Sequence, residues 1–98
     1  MQSVLQTEKE CYICRERFGL ETTRMLEDHH VLFGTSNRVL AEKFGLKVWL
    51  CKEHHTGNLG VHKNRDIDLW LKEIAQRYFE EHYGSREDFI RVFGRNYL

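Results

Sequence analysis

Two short segments decide what this chain can fold into. CYIC, residues 11–14, and CKEH, residues 51–54, set out Cys11, Cys14, Cys51 and His54 as two pairs of donors, each with two residues between its members. A tight turn can offer both members of such a pair to one ion, and two pairs supply the four donors of a closed tetrahedral zinc site. Isolated core cysteines do not need this double spacing. His55, directly after His54, is an alternative fourth ligand. Closing the site would tie the N-terminal segment to the residues around Cys51 and stabilise the fold outright.

A chain of 98 residues fits one domain with a modest core, the size at which a metal or disulfide staple is expected. Three cysteines cannot all pair within it, and in a reducing compartment a C-x-x-C binds metal or works in redox chemistry more often than it forms a disulfide. The redox alternative expects a following helix in a thioredoxin-like unit, which Gly19 to Arg24 does not supply. The opening residues MQSVLQTEKE lack a basic start and an apolar core, so the expected location is the cytoplasm, with no membrane partner. Formal net charge is zero. Binding to nucleic acid would then need a local basic patch or a bound cation.

No repeat, linker or proline interrupts the chain, and residues 1–98 read as a single domain. Residues 10–18 read as a turn carrying Cys11 and Cys14. From Arg24 to Gly34, RMLEDHHVLFG has the character of a strand, with Met25, Leu26, Val31, Leu32 and Phe33 as wall residues. Ser36 or Asn37 is expected to cap a short helix through Phe44, stopped by Gly45. Lys47 to Leu50 is a second strand leading into Cys51. Ile67, Trp70, Leu71, Ile74, Ala75, Tyr78, Phe79 and His82 follow a three-then-four spacing that places them on one helical face as core. Ser85 and Asp88 make a capping arrangement for a last helix carrying Phe89, Ile90 and Phe93, with Gly94 at its end, folded back on the longer helix.

With four donors assigned, His29, His30, His55 and His62 remain, and five of the six histidines fall between positions 29 and 62. Two adjacent pairs flanking one knuckle point to a second, open metal site with a spare imidazole as base. The order CYIC, EDHH, WLCKEHH resembles the HNH endonuclease family, and HHVLFGTSNR with LCKEHHTGNLGVH is most similar to its small phage and prophage members, including the RecA-dependent recombination-enhancing nucleases. The resemblance covers roughly residues 11–65. It implies an α+β fold: a small zinc-stapled ββα-metal (His-Me finger) domain over residues 11–65, with a C-terminal two-helix extension over residues 66–98.

Position by position, the resemblance implies His29 as metal ligand and His30 as general base, with Asp28 and His29 as a competing register. It implies His54 on structural zinc, His55 on the catalytic ion, and His62 as a further ligand returning from the loop between Gly57 and Gly60. The family's middle asparagine has no counterpart just ahead of Cys51; Asn37 is the one asparagine between His30 and Cys51, with Asn58 and Asn64 beyond. An imidazole titrating near ~6.5 can take a proton from water at cellular pH. A divalent ion, Mg2+, Mn2+, Ni2+ or Zn2+, would offset charge on the phosphodiester. The implied substrate is DNA, met by Arg38, Lys52, Lys63 and Arg65, with Lys47 nearby. A phage or host recombination protein is an implied partner, in a bacterial cell, and either monomer or dimer fits. The alternative is a non-catalytic zinc-knuckle module, derived from a nuclease, that binds nucleic acid or protein.

Overall fold

Cys11 begins the first regular element. In the computed structural model, which describes residues 1–98, its Sγ accepts from the Cys14 amide and caps helix α1, Tyr12–Phe18. The expected turn over residues 10–18 is thus a helix, because the cysteine side chain satisfies an amide that a helix start leaves open. Gly19, at φ 63°, ends it in the left-handed conformation. The following elements are strand β1 (Leu26–His30), helix α2 (Thr35–Phe44), strand β2 (Lys47–Cys51), one-turn helix α3 (Lys52–His55), helix α4 (Arg65–His82) and helix α5 (Arg86–Phe93). The fold is α+β with one two-stranded antiparallel sheet.

The register pairs Leu26 with Cys51, Asp28 with Trp49, His29 with Val48 and His30 with Lys47. Cross-strand partners share a face and neighbours along a strand alternate. His29 therefore joins Val48 and Leu50 on the face turned to the core, where all three are buried. His30 and Lys47 occupy the opposite face. Adjacent histidines in one strand are sent to different surroundings.

Of the expected wall residues, Val31 and Leu32 are buried, whereas Met25 is 76% exposed and Phe33 39% exposed. Met25 holds a positive φ of 53° just ahead of β1 and points away from the core. Gly34, not Ser36 or Asn37, is the N-cap of α2. Its φ of 97° turns the chain so early that Ser36 and Asn37 already lie within the first helical turn. Gly45 ends α2 as expected, at φ 72°.

Only 22 of 98 residues are buried, so the core is modest. Leu71, Ala75 and Phe79 bring α4 to Phe89 and Phe93 of α5. The stripe on α4 is displaced from the apolar spacing: His82 is exposed, while Lys72 and Gln76 are buried. Gln76 fits because its amide donates to Glu80 and Asn96 and its oxygen accepts from the Tyr97 amide. Such full satisfaction removes most of the penalty for burying a polar group. Lys72 is paired with Asp68 at 2.6 Å and lies 3.8 Å above the Phe33 ring. The Ser85 and Asp88 capping box starts α5 as its spacing predicts. No helix is long and apolar enough to cross a membrane.

Candidate metal centres

α1 brings Cys11 and Cys14 to the end of β2, where Cys51 ends the strand and α3 carries His54 one turn later. His54 Nδ1 lies 3.4 Å from Cys14 Sγ, 3.4 Å from Cys51 Sγ and 3.8 Å from Cys11 Sγ, and the Cys14 and Cys51 sulfurs are 3.9 Å apart. Around a tetrahedral ion with Zn–S of about 2.3 Å and Zn–N of about 2.0 Å, sulfur–sulfur edges are about 3.8 Å and sulfur–nitrogen edges about 3.5 Å. These four separations are close to those edges, and none of the cysteines is in a disulfide. Cys11, Cys14, Cys51 and His54 form a Cys3His cluster that can hold a structural metal such as zinc. Phe18 stacks on the His54 ring with centroids 5.7 Å apart, fixing the imidazole plane. His55 takes no part in this cluster.

His55 belongs to a second group with His29 and His62, whose ring nitrogens lie within 4.8 Å of one another. Each comes from a different element. His29 is on β1, His55 ends α3, and His62 returns on the loop before α4. Gly60 makes that return possible: a Cβ there would sit 2.5 Å from the His55 carbonyl oxygen, a contact only glycine avoids. The Val61 amide then donates to the His54 carbonyl at 3.0 Å, locking the loop against α3. His55 and His62 face each other with Nε2 atoms 3.3 Å apart.

His29 is 2% exposed, and its Nε2 has no hydrogen-bond partner. A buried, unpaired ring nitrogen is costly unless something occupies its lone pair. Burial first, then the imidazoles of His55 and His62, pushes the His29 pKa down to about 3. His62 is lowered by burial and by His55, with Lys72 acting the same way and Asp68 opposing them. Both rings are thereby biased to the neutral form that a metal ligand requires. On the far side of His55, Nδ1 lies 3.0 Å from Glu27 Oε1. This carboxylate–imidazole contact fixes the ring so that Nε2 faces the other two, as a partner behind a metal-binding histidine does. Three imidazoles with an open side could hold a divalent ion and leave a position for a ligand.

The cleft over this group, about 240 Å³, is also lined by His30, Phe33 and Arg38. His30 Nε2 lies 2.8 Å from Glu42 Oε1. The N-terminal ammonium, His30 and Lys47 hold the Glu42 carboxyl well below the usual carboxylate range. Lys47 bridges Glu42 and Asp28, so its charge is already matched and it is not the free phosphate contact expected. Arg38 lines the cleft, and it, Lys52, Lys63 and Arg65 are exposed and form no ion pair.

Asn37 is not brought to the cleft. Its amide donates to the Phe93 carbonyl at 3.2 Å, joining α2 to the end of α5. Asn64 caps α4 by accepting from the Asp66 and Ile67 amides, and Asn58 is exposed on the loop. Glu27 and Glu42 are the site residues that sequence reasoning passed over. The signal for Glu27 was its place two residues before His29 on the same strand face; nothing in the sequence linked Glu42 to His30. No protein-family model, curated protein or solved structure matches the chain.

Proposed function

We propose that this protein is a metal-dependent DNA endonuclease of the HNH type, built on a zinc-clamped ββα-metal core. The observation that carries this reading is the convergence of His29, His55 and His62 at the floor of a cleft whose wall holds a fourth histidine, His30. Hydrolysis of a phosphodiester needs an open metal position and a base beside it, and this cleft offers candidates for both. A divalent ion bound there would stabilise the negative charge that grows on the phosphate and on the leaving oxygen.

The chain's own residues have separate tasks. His29, His55 and His62 would hold the ion, with Glu27 fixing the His55 ring. His30 takes a proton from water at Nδ1, the ring nitrogen that does not face Glu42. The water oxygen then bonds to phosphorus as the bond to the 3′ oxygen breaks, and that oxygen takes a proton from solvent water, leaving 5′-phosphate and 3′-hydroxyl ends. Arg38, at the rim, meets a backbone phosphate. Lys52, Lys63 and Arg65 extend a basic surface that a neutral chain otherwise lacks. Contacts of this kind to phosphates position the duplex and carry no sequence information.

A second reading, a zinc-knuckle binding module without catalysis, is favoured by one observation: the Asn37 amide is committed to Phe93, away from the base it would orient. One assay separates the two. Supercoiled plasmid is incubated with wild type, His30→Ala and His55→Ala in magnesium, manganese, nickel and zinc in turn. Nicked circles from wild type, lost in both variants, support the nuclease. Binding without nicking under every ion supports the module, and equal nicking by all three proteins assigns the activity to a contaminant.

A further inference from the structure

We propose that Glu42 is the positioning residue for His30, doing with a carboxylate what the missing motif asparagine would otherwise do. The inference rests on the nuclease reading and assigns a role to a residue outside its motif. His30 closes β1, and Glu42 lies on α2, in the turn before Gly45 ends the helix. Their contact, 2.8 Å from Nε2 to Oε1, has a definite chemical consequence. A carboxylate accepts and does not donate, so the imidazole proton sits on Nε2, and the lone pair of the neutral ring sits on Nδ1. His30 Nδ1 makes no hydrogen bond within the protein, and the ring lines the cleft over the three histidines.

The bland account is a surface ion pair, which contributes little. Two features set this contact apart. The His30 side chain is only 13% exposed, so the ring has few other orientations. Glu42 is itself fixed from a second direction, by Lys47 at 3.0 and 3.2 Å from its two oxygens, and Lys47 is the cross-strand partner of His30. The sheet register thus sets His30 and Lys47, two of the three groups that grip Glu42, the Met1 ammonium at 2.6 Å being the third, and Glu42 in turn sets the ring. An acceptor behind a base is the arrangement that holds a catalytic imidazole in one tautomer and stabilises the cation formed when it takes a proton.

Neither Asn37 nor Asn64 can take this part, since one amide is on the Phe93 carbonyl and the other side chain caps α4. Glu42 is the carboxylate the fold supplies instead.

The test reads the ring directly. Long-range nitrogen–proton correlation spectra of 15N-labelled protein, zinc-loaded at the Cys3His cluster, report which His30 nitrogen carries the proton in wild type, Glu42→Gln and Glu42→Ala. Kinetics of plasmid nicking are measured on the same samples. Expected are an Nε2–H ring in wild type, the same ring in Glu42→Gln, whose amide oxygen still accepts, and a tautomer mixture in Glu42→Ala. For Glu42→Ala, kcat falls on the order of 10²-fold, the lower end of what proton transfer by a positioned base contributes, with KM unchanged. A merely structural Glu42 would move stability and leave the ring alone. An Nδ1–H ring in wild type, or nicking by Glu42→Ala at the wild-type kcat, overturns the assignment of Glu42. No nicking by wild type in any divalent ion overturns the nuclease reading itself, and with it any catalytic meaning of the pair.

Discussion

His62 Nε2 lies 3.3 Å from His55 Nε2, two ring nitrogens brought face to face from a loop and a helix. Two lone pairs at that distance repel unless a proton or an ion lies between them. Nitrogens about 2.0–2.1 Å from a tetrahedral zinc stand about 3.4 Å apart, which is the separation seen. The buried His29 nitrogen completes a three-point donor set.

A second ion should therefore bind beside the first and bind less tightly. Titration with cobalt, whose absorption differs between sulfur-rich and nitrogen-only ligand sets, is expected to fill a thiolate site first and an imidazole site second. His62→Ala should weaken only the second step, by more than about 100-fold, since loss of a ligand exceeds the 10- to 100-fold cost of losing a ligand's supporting partner. Two unaltered steps in His62→Ala would remove the three-histidine site from consideration.

The Cys3His cluster predicts a different response. Structural zinc binds with an apparent ~10–16 kcal/mol, as large as the whole stability of a small domain. The cluster joins α1 to the sheet and to α3, which otherwise share a small core. Cys14→Ser, or chelation in wild type, should melt α1 and broaden or abolish the cooperative thermal transition followed by circular dichroism. Amide exchange should report the loss first at Ile13 to Phe18. An unchanged transition after complete metal removal would show that the core alone carries the fold.

The donor set of the clamp was legible in the sequence because fixed spacing in two knuckles leaves few geometries. The helix around CYIC was not, since a cysteine side chain capping α1 looks in sequence like any turn residue. Strand β1 was legible in place but not in sidedness: the alternation that buries His29 in the core and sets His30 against Glu42 on the other face depends on which face meets the core, and the EDHH run is polar on both. The α4 stripe misplaced Gln76, which is satisfied when buried by Glu80 on the same helix and by Asn96 and Tyr97, some twenty residues later. Glu42 stayed hidden for the same reason. Its partner is twelve residues back, and only folding joins them.

Glu27 offers a test of the second site that spares every ligand. Its Oε1 holds His55 Nδ1 at 3.0 Å from a half-exposed side chain on β1. Glu27→Gln removes the charge behind the ring while leaving the strand intact. The second ion should bind about 10- to 100-fold more weakly, with the first ion and the thermal midpoint of the zinc-clamped protein unchanged. Isothermal titration with zinc, after the first site is filled, measures the difference. Equal affinity in wild type and Glu27→Gln would mean that this contact is a surface pair and nothing more.

The low pKa of His29 carries a stability consequence of definite sign. Burial, followed by the neighbouring imidazoles, holds it at about 3, whereas the unfolded chain titrates near ~6.5. Above that value both states are neutral and nothing is lost. As pH falls from about 6.5 towards 3, the unfolded state binds a proton that the native state refuses, so stability falls by at most about 1.4 kcal/mol per pH unit. His62, lowered in the same direction, adds to the trend. Urea unfolding of zinc-clamped protein with the second site empty should lose on the order of 2 kcal/mol more between pH 7 and pH 5 in wild type than in His29→Phe. An ion in the three-histidine site would steepen the wild-type curve, because it holds the native rings neutral while the unfolded chain still takes up their protons. Parallel curves for the two proteins, with the second site empty, would mean that His29 is solvated in solution, and the buried floor of the cleft would have to be redrawn.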